Sequence, residues 1–140
     1  MNILYIIMRT DMNSMNPGKA MAQAAHAANA FVNHAQQAFP RDSHSISHNE
    51  KAFDAWRSET GTNQGFGTTI VLGTSFNNAR DEMGEAVSNA ARQGLIAGLV
   101  RDPTYPIRDG AVTHLIDVYT CAYVFAPPKA DFLSHFELHP

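Results

Sequence analysis

Residues 3–9, Ile-Leu-Tyr-Ile-Ile-Met-Arg, are apolar without alternation up to Arg9, and Thr10 and Asp11 close the run. A continuous apolar run this short predicts a strand buried on both faces and therefore central in a sheet. The pattern then changes from strand to helix. Between Pro17 and Ala38 the chain is rich in alanine, with Lys19, Gln23 and His26 at i, i+4 and i+7 on one face and Met21, Ala25, Ala28 and Val32 along another. Asn16 suits the N-cap and Pro17 the first helical position, so a helix is predicted over 17–38, stopped by Pro40. Residues 40–48 are polar and aperiodic and read as an exposed loop, and 49–59 read as a short helix anchored by Phe53 and Trp56.

The β-branched run Thr68–Gly73 predicts a second strand. Small and apolar residues from Ala79 to Ala91 predict a helix that begins at Asn77 or Asn78 and ends at Gln93, with Gly94 as its cap. Leu95–Val100 reads as a third strand that should stop at Arg101, because Pro103 and Pro106 follow. Residues 114–126 read as a long last strand, and 130–136 as a short helix or turn after Pro127 and Pro128. The order predicts an α/β fold: a single compact three-layer domain over 1–140, with a mixed four-stranded central sheet flanked by helices.

Composition narrows the function classes. At 44% hydrophobic and 16% charged residues the chain is globular, and no apolar run approaches the roughly 20 residues of a membrane span. The net charge of −3 argues against broad electrostatic binding to nucleic acid and leaves room for a local basic site. The N-terminus has no basic region followed by a cleavage site, and the single Cys121 sits in an apolar run, so a buried thiol and a cytoplasmic setting are expected. His44 and His48 stand four apart in a Ser-rich loop without further ligands at metal spacing, so no metal and no other cofactor is expected.

Candidate chemistry begins at Lys19. A lysine in the first turn opposes the helix dipole, so its placement favours a role in holding a phosphate or an oxyanion beside free backbone N–H groups. Asp109 and Thr113 stand four apart in a turn before the last strand. Brought against Lys19 and His26, they would give a cation, a carboxylate, a hydroxyl and an imidazole, enough to direct a water at an ester.

Met8-Arg9-Thr10-Asp11, then Gly18-Lys19, then Ala22-Gln23-Ala24-Ala25-His26-Ala27-Ala28 resemble the opening signature of the archaeal and eukaryotic type of peptidyl-tRNA hydrolase. Gln93-Gly94-Leu95, the Asp109 and Thr113 pair, and Ser134-His135-Phe136-Glu137-Leu138 resemble later features of that family. The resemblance implies a small α/β homodimer that cleaves the ester of peptidyl-tRNA at the tRNA 3′ end without a metal. It implies Lys19, Asp109, Thr113 and His26 as the catalytic group, with Gln23, Arg9, Asp11, Gly18 and Arg108 contacting or framing the substrate. Three positions depart from the family pattern: Asn16-Pro17 replaces a second lysine, Val112 an arginine, and Glu137 a lysine. The remaining basic rim would be Arg9, Arg101, Arg108 and Lys129. Two rival readings follow from that loss of charge: a binding or regulatory protein without activity on the same fold, and an esterase for another aminoacyl or peptidyl ester.

Overall fold

The computed structural model describes residues 1–39, 47–74 and 79–140. Its elements are β1 Ile3–Arg9, α1 Pro17–Ala38, α2 His48–Ser58, β2 Thr69–Thr74, α3 Ala79–Arg92, β3 Ile96–Asp109, β4 Val112–Ala126, a 3-10 turn Asp131–Leu133 and β5 Glu137–Leu138. The sheet order is β3-β4-β1-β2-β5. β1 and β2 are parallel, and every other pairing is antiparallel.

β1 is the middle strand, as its unbroken apolar run requires. Leu4, Ile6 and Met8 join the core under α1 and α2, whereas Ile3, Tyr5 and Ile7 join the core under α3. Two cores on opposite faces of one sheet make the three predicted layers. The sheet has five strands rather than four, because Glu137–Leu138 adds to β2 opposite Leu72 and Gly73. A strand of two residues carries no periodicity, so nothing in the sequence announces it.

On α1 the buried row is Ala20, Gln23, Ala27, Phe31 and Ala35. Met21 and Ala25, placed on the alternative row by spacing, are exposed, Met21 by 67%. Alanines along the buried row let the helix lie close to the sheet, and Phe31 fills the space that remains. Its ring meets those of Phe53, Trp56, Tyr123 and Phe125 at centroid distances of 5.6, 5.4, 6.1 and 4.9 Å. Phe53 and Trp56 are thus the packing anchor of α2, and the Trp56 indole N–H donates to the Thr68 carbonyl at 2.8 Å. Asn16 caps α1 by accepting from the Lys19 N–H at 2.9 Å. Gly94, at φ +74°, ends α3 in the left-handed conformation, with the Leu95 N–H returning to the Ala90 carbonyl. The expected helix start at Asn77 or Asn78, the stop at Pro40 and the histidine at 44 lie outside the described residues.

The expected end of the third strand at Arg101 is overturned. β3 runs through both prolines to Asp109 and turns at Gly110 and Ala111 into β4. β3 is an edge strand, where a missing N–H need not break a ladder, and its register shifts absorb Pro103. Because β1 pairs with β4 only over Cys121–Ala126, the far halves of β3 and β4 continue beyond β1 as a two-stranded ribbon.

Phe31→Ala is expected to destabilise the fold by about 3–5 kcal/mol, the usual cost of emptying an aromatic core position. Urea denaturation monitored at Trp56 measures it, and a loss below about 1 kcal/mol would show that the aromatic cluster is not the keystone of this layer.

Candidate active site

The ribbon reaches α1 through two bulges. Val100 opposes Cys121 and Arg101 opposes Tyr119, so Thr120 is an extra residue on β4. Asp102 opposes Val118 and Tyr105 opposes Ile116, so Pro103 and Thr104 together face Asp117 alone. A bulge re-aims side chains that strict alternation would send to opposite faces. Thr120 and Cys121 are consecutive, yet both bond to Gln23; Asp102 and Tyr105 differ in parity, yet both turn toward α1 and the loop before it.

Gln23 is the centre of this contact and is 3% exposed. Its Nε2 donates to Asp102 Oδ2 at 2.7 Å, and its Oε1 accepts from the Thr120 hydroxyl at 2.7 Å. The other Asp102 oxygen accepts from the Thr104 N–H at 2.9 Å and the Thr104 hydroxyl at 3.1 Å. Burial pushes the Asp102 carboxyl up, but the bonds from Gln23 and Thr104, with His26 nearby, together hold it below the ordinary value. The carboxylate is therefore ionised at neutral pH. Cys121, buried beside it, has its thiol pushed up to about 12 by desolvation and is no nucleophile.

Lys19 lies one turn before Gln23 on the same helix face. Its Nζ donates to the Pro106 carbonyl at 2.7 Å and stands 5.2 Å from the centre of the Tyr105 ring. An ammonium has three donors, so two remain for a ligand. Gly18 contributes a first-turn amide, which an α-helix leaves without an intrahelical acceptor. His26 is exposed one turn beyond Gln23, within electrostatic range of Asp102. The expected row of Lys19, Gln23 and His26 therefore exists, with its middle member buried as a bridge.

The other expected site residues fall elsewhere. Asp109 and Thr113 flank the ribbon turn, paired in register with Val112 and Arg108. The Asp109 side chain is 85% exposed, and its approach to His114 is 3.8 Å. Seven residues separate Asp109 from Asp102, roughly 20 Å at about 3.3 Å per residue of strand. The structure thus brings Asp102 and Thr120 to the Lys19 and Gln23 face, and leaves Asp109, Thr113 and the exposed Arg108 at the ribbon tip. Arg9 and Asp11 are spent on each other, with Nε and Nη2 of Arg9 on the two Asp11 oxygens at 2.8 and 2.7 Å, and Nη1 on the Tyr119 carbonyl at 3.1 Å. Those bonds raise the Arg9 pKa and lower that of Asp11. Arg101 pairs with Asp117 at 2.8 Å. Lys129 follows the opposite end of β4 from the ribbon.

That Asp102, Thr104, Tyr105 and Thr120 gather at the Lys19 and Gln23 face was not legible in the sequence. The signal for them was the pair of prolines inside an otherwise strand-like run, which marks a bulged edge as readily as a strand end. A cavity of about 480 Å³ opens at the C-terminal ends of β1 and β2, lined by Met8, Thr10, Met15, Ala20, Met21 and Val71 among others. It lies on the far side of α1 from Lys19 and Gln23 by helical geometry. Among the described residues no group of three or more His, Cys, Asp or Glu is set to hold a metal ion, and no helix is long and apolar enough to cross a membrane.

A family model described as Peptidyl-tRNA hydrolase PTH2 matches residues 2–118. No curated protein matches the chain. The matched span contains β1, α1 with Lys19 and Gln23, and the β3 bulge with Asp102, and the chain belongs to the PTH2 family of peptidyl-tRNA hydrolases, which are ester hydrolases acting on charged tRNA.

Proposed function

We propose that this chain cleaves the ester of peptidyl-tRNA at the face between α1 and the β3–β4 ribbon, releasing peptide and free tRNA, with water activated by protein groups and no metal. The observation that carries the assignment is an ammonium with two free donors, Lys19, on the same helix face as Gln23, which one turn further on holds the buried, ionised carboxylate of Asp102.

In this reading the Lys19 ammonium stabilises the negative charge that develops on the carbonyl oxygen, as preorganised donors do in acyl transfer. Asp102 has a depressed pKa and most of its acceptor capacity is engaged, so it is a poor base and serves to orient the water and stabilise positive charge beside it. His26 takes the proton of the attacking water. The water oxygen bonds to the carbonyl carbon, the ester C–O bond breaks, and the proton passes to the departing ribose oxygen. An ester with a ribose leaving group asks less of the enzyme than an amide would, so positioning and electrostatics suffice. Gln23 is a positioning residue, since both ends of its amide are already bonded inside the protein. A cytoplasmic homodimer belongs to the same proposal through the family resemblance, and a lone buried thiol at Cys121 agrees with a reducing compartment.

A second reading is favoured by one observation. Arg9 and Arg101, two members of the expected basic rim, are paired with Asp11 and Asp117, which weakens their pull on a phosphate backbone. A smaller ester, with the tRNA body playing no part, would suit that surface. Comparing kcat/KM for peptidyl-tRNA and for a peptidyl-adenosine ester separates the two: the proposal requires the full tRNA to be preferred by at least about tenfold, or about 1.4 kcal/mol.

Release of labelled peptide from peptidyl-tRNA is expected to survive EDTA. Lys19→Ala and Asp102→Asn should each lower kcat/KM by about a hundredfold or more, His26→Ala by about a hundredfold, and Asp109→Asn and Thr113→Ala by less than about threefold. A large loss in Asp109→Asn with Asp102→Asn unaffected would move the site to the ribbon tip, and a folded wild type without turnover would favour the binding-protein reading.

The Asp102 carboxyl also fixes a pH dependence. Its folded pKa lies below the ordinary 3.8, so its contribution to stability is complete above that value and is lost as pH falls through the depressed folded value. Asp102→Asn should therefore be less stable than wild type near neutral pH, with the gap closing below about pH 3 in urea melts. A gap independent of pH would show that the carboxylate charge contributes nothing.

A further inference from the structure

Tyr105 is fully buried, although its neighbours Pro103, Thr104 and Arg108 on β3 are exposed. A large aromatic residue turned inward from an edge ribbon invites a question about what it holds. Its ring faces the Lys19 ammonium at 5.2 Å, and the residue after it supplies the carbonyl that accepts from the same ammonium at 2.7 Å. Its hydroxyl lies 3.1 Å from Ser14 Oγ and 3.7 Å from Met15 Sδ, in the loop between β1 and α1. Two consecutive residues of the ribbon thus seat the Lys19 head, and the seat is tied back to the loop that starts the helix.

The seat answers a physical problem. Lys19 stands in the first turn of α1, where the positive end of the helix dipole repels its charge. A flexible four-carbon stem in that field would point its ammonium away into water. The negative face of an aromatic ring offsets the repulsion, more strongly where water is excluded, and leaves the N–H donors free because it occupies none of them. A carboxylate in the same place would neutralise the cation and compete with the substrate.

We propose that Tyr105 is a positioning residue for hydrolysis, whose ring aims the Lys19 ammonium. The inference rests on the assignment of Lys19 as the oxyanion-stabilising cation. It goes beyond that assignment by making the charge distribution of one ring a determinant of turnover.

The test compares Tyr105→Phe with Tyr105→pentafluorophenylalanine. Both lack the hydroxyl and keep the ring shape, while the second reverses the ring's electrostatic face. Peptidyl-tRNA turnover is measured for each in the native and the Lys19→Ala backgrounds, with thermal melts alongside. With Tyr105→Phe as the reference, because it keeps an electron-rich ring, the pentafluoro variant should have a kcat about ten- to a hundredfold lower with KM changed by less than about threefold. In the Lys19→Ala background the two variants should be equal, because the ring acts through that ammonium. Equal kcat for the two variants in the native background, or the same difference persisting without Lys19, overturns the inference while leaving the function intact. A folded wild type without turnover removes the functional reading and the role of Tyr105 together.

Discussion

The buried amide of Gln23 is the interaction on which the arrangement depends. A primary amide taken out of water without partners costs on the order of 1–3 kcal/mol, so its position on the sheet-facing row of α1 is tolerable only if a donor and an acceptor meet it. The Thr120 hydroxyl supplies the donor and the Asp102 carboxylate the acceptor. Both lie on strands that have left the central sheet, and the bulge on β4 puts Thr120 within reach of the helix. The local irregularities of β3 and β4 are therefore the means by which one helical side chain is satisfied. They also fix the carboxylate that meets Gln23, one turn along α1 from Lys19.

Charge on this surface is largely internal. Arg9 is bonded to both Asp11 oxygens and to the Tyr119 carbonyl, and Arg101 lies against Asp117. An overall charge of −3 gives a weak field for a polyanion. Lys19 differs, because its partners are a carbonyl and a ring, neither of which cancels its charge.

The layered fold was legible because β1 and α1 carry strong, unbroken periodicity. Six residues of continuous apolar sequence have no solution except a central strand, and Asn16-Pro17 marks the helix start to the residue. β5 was hidden because two residues show no period. The end of β3 was misplaced because proline forbids a central strand but not an edge with bulges, and edge position is a tertiary fact. The same misplacement hid the contact of Asp102 with Gln23. A strand that ends at Arg101 leaves Asp102 in a turn, whereas the bulged edge bends its carboxylate onto Gln23. Lys19 and His26 were visible because helical spacing puts them on one face. The role of Gln23 as a buried bridge was not, since spacing alone cannot tell a face that meets solvent from one that meets a ribbon.

The most direct test of a site between α1 and the ribbon is an NMR titration of the labelled protein with a non-hydrolysable analogue, a peptide joined through an amide to 3′-amino-adenosine. The account predicts that shifts concentrate at Gly18, Lys19, His26, Asp102 and Tyr105, with the ribbon turn at 109–113 unmoved. Shifts centred on Asp109 and Thr113, with Lys19 and Asp102 silent, would contradict it.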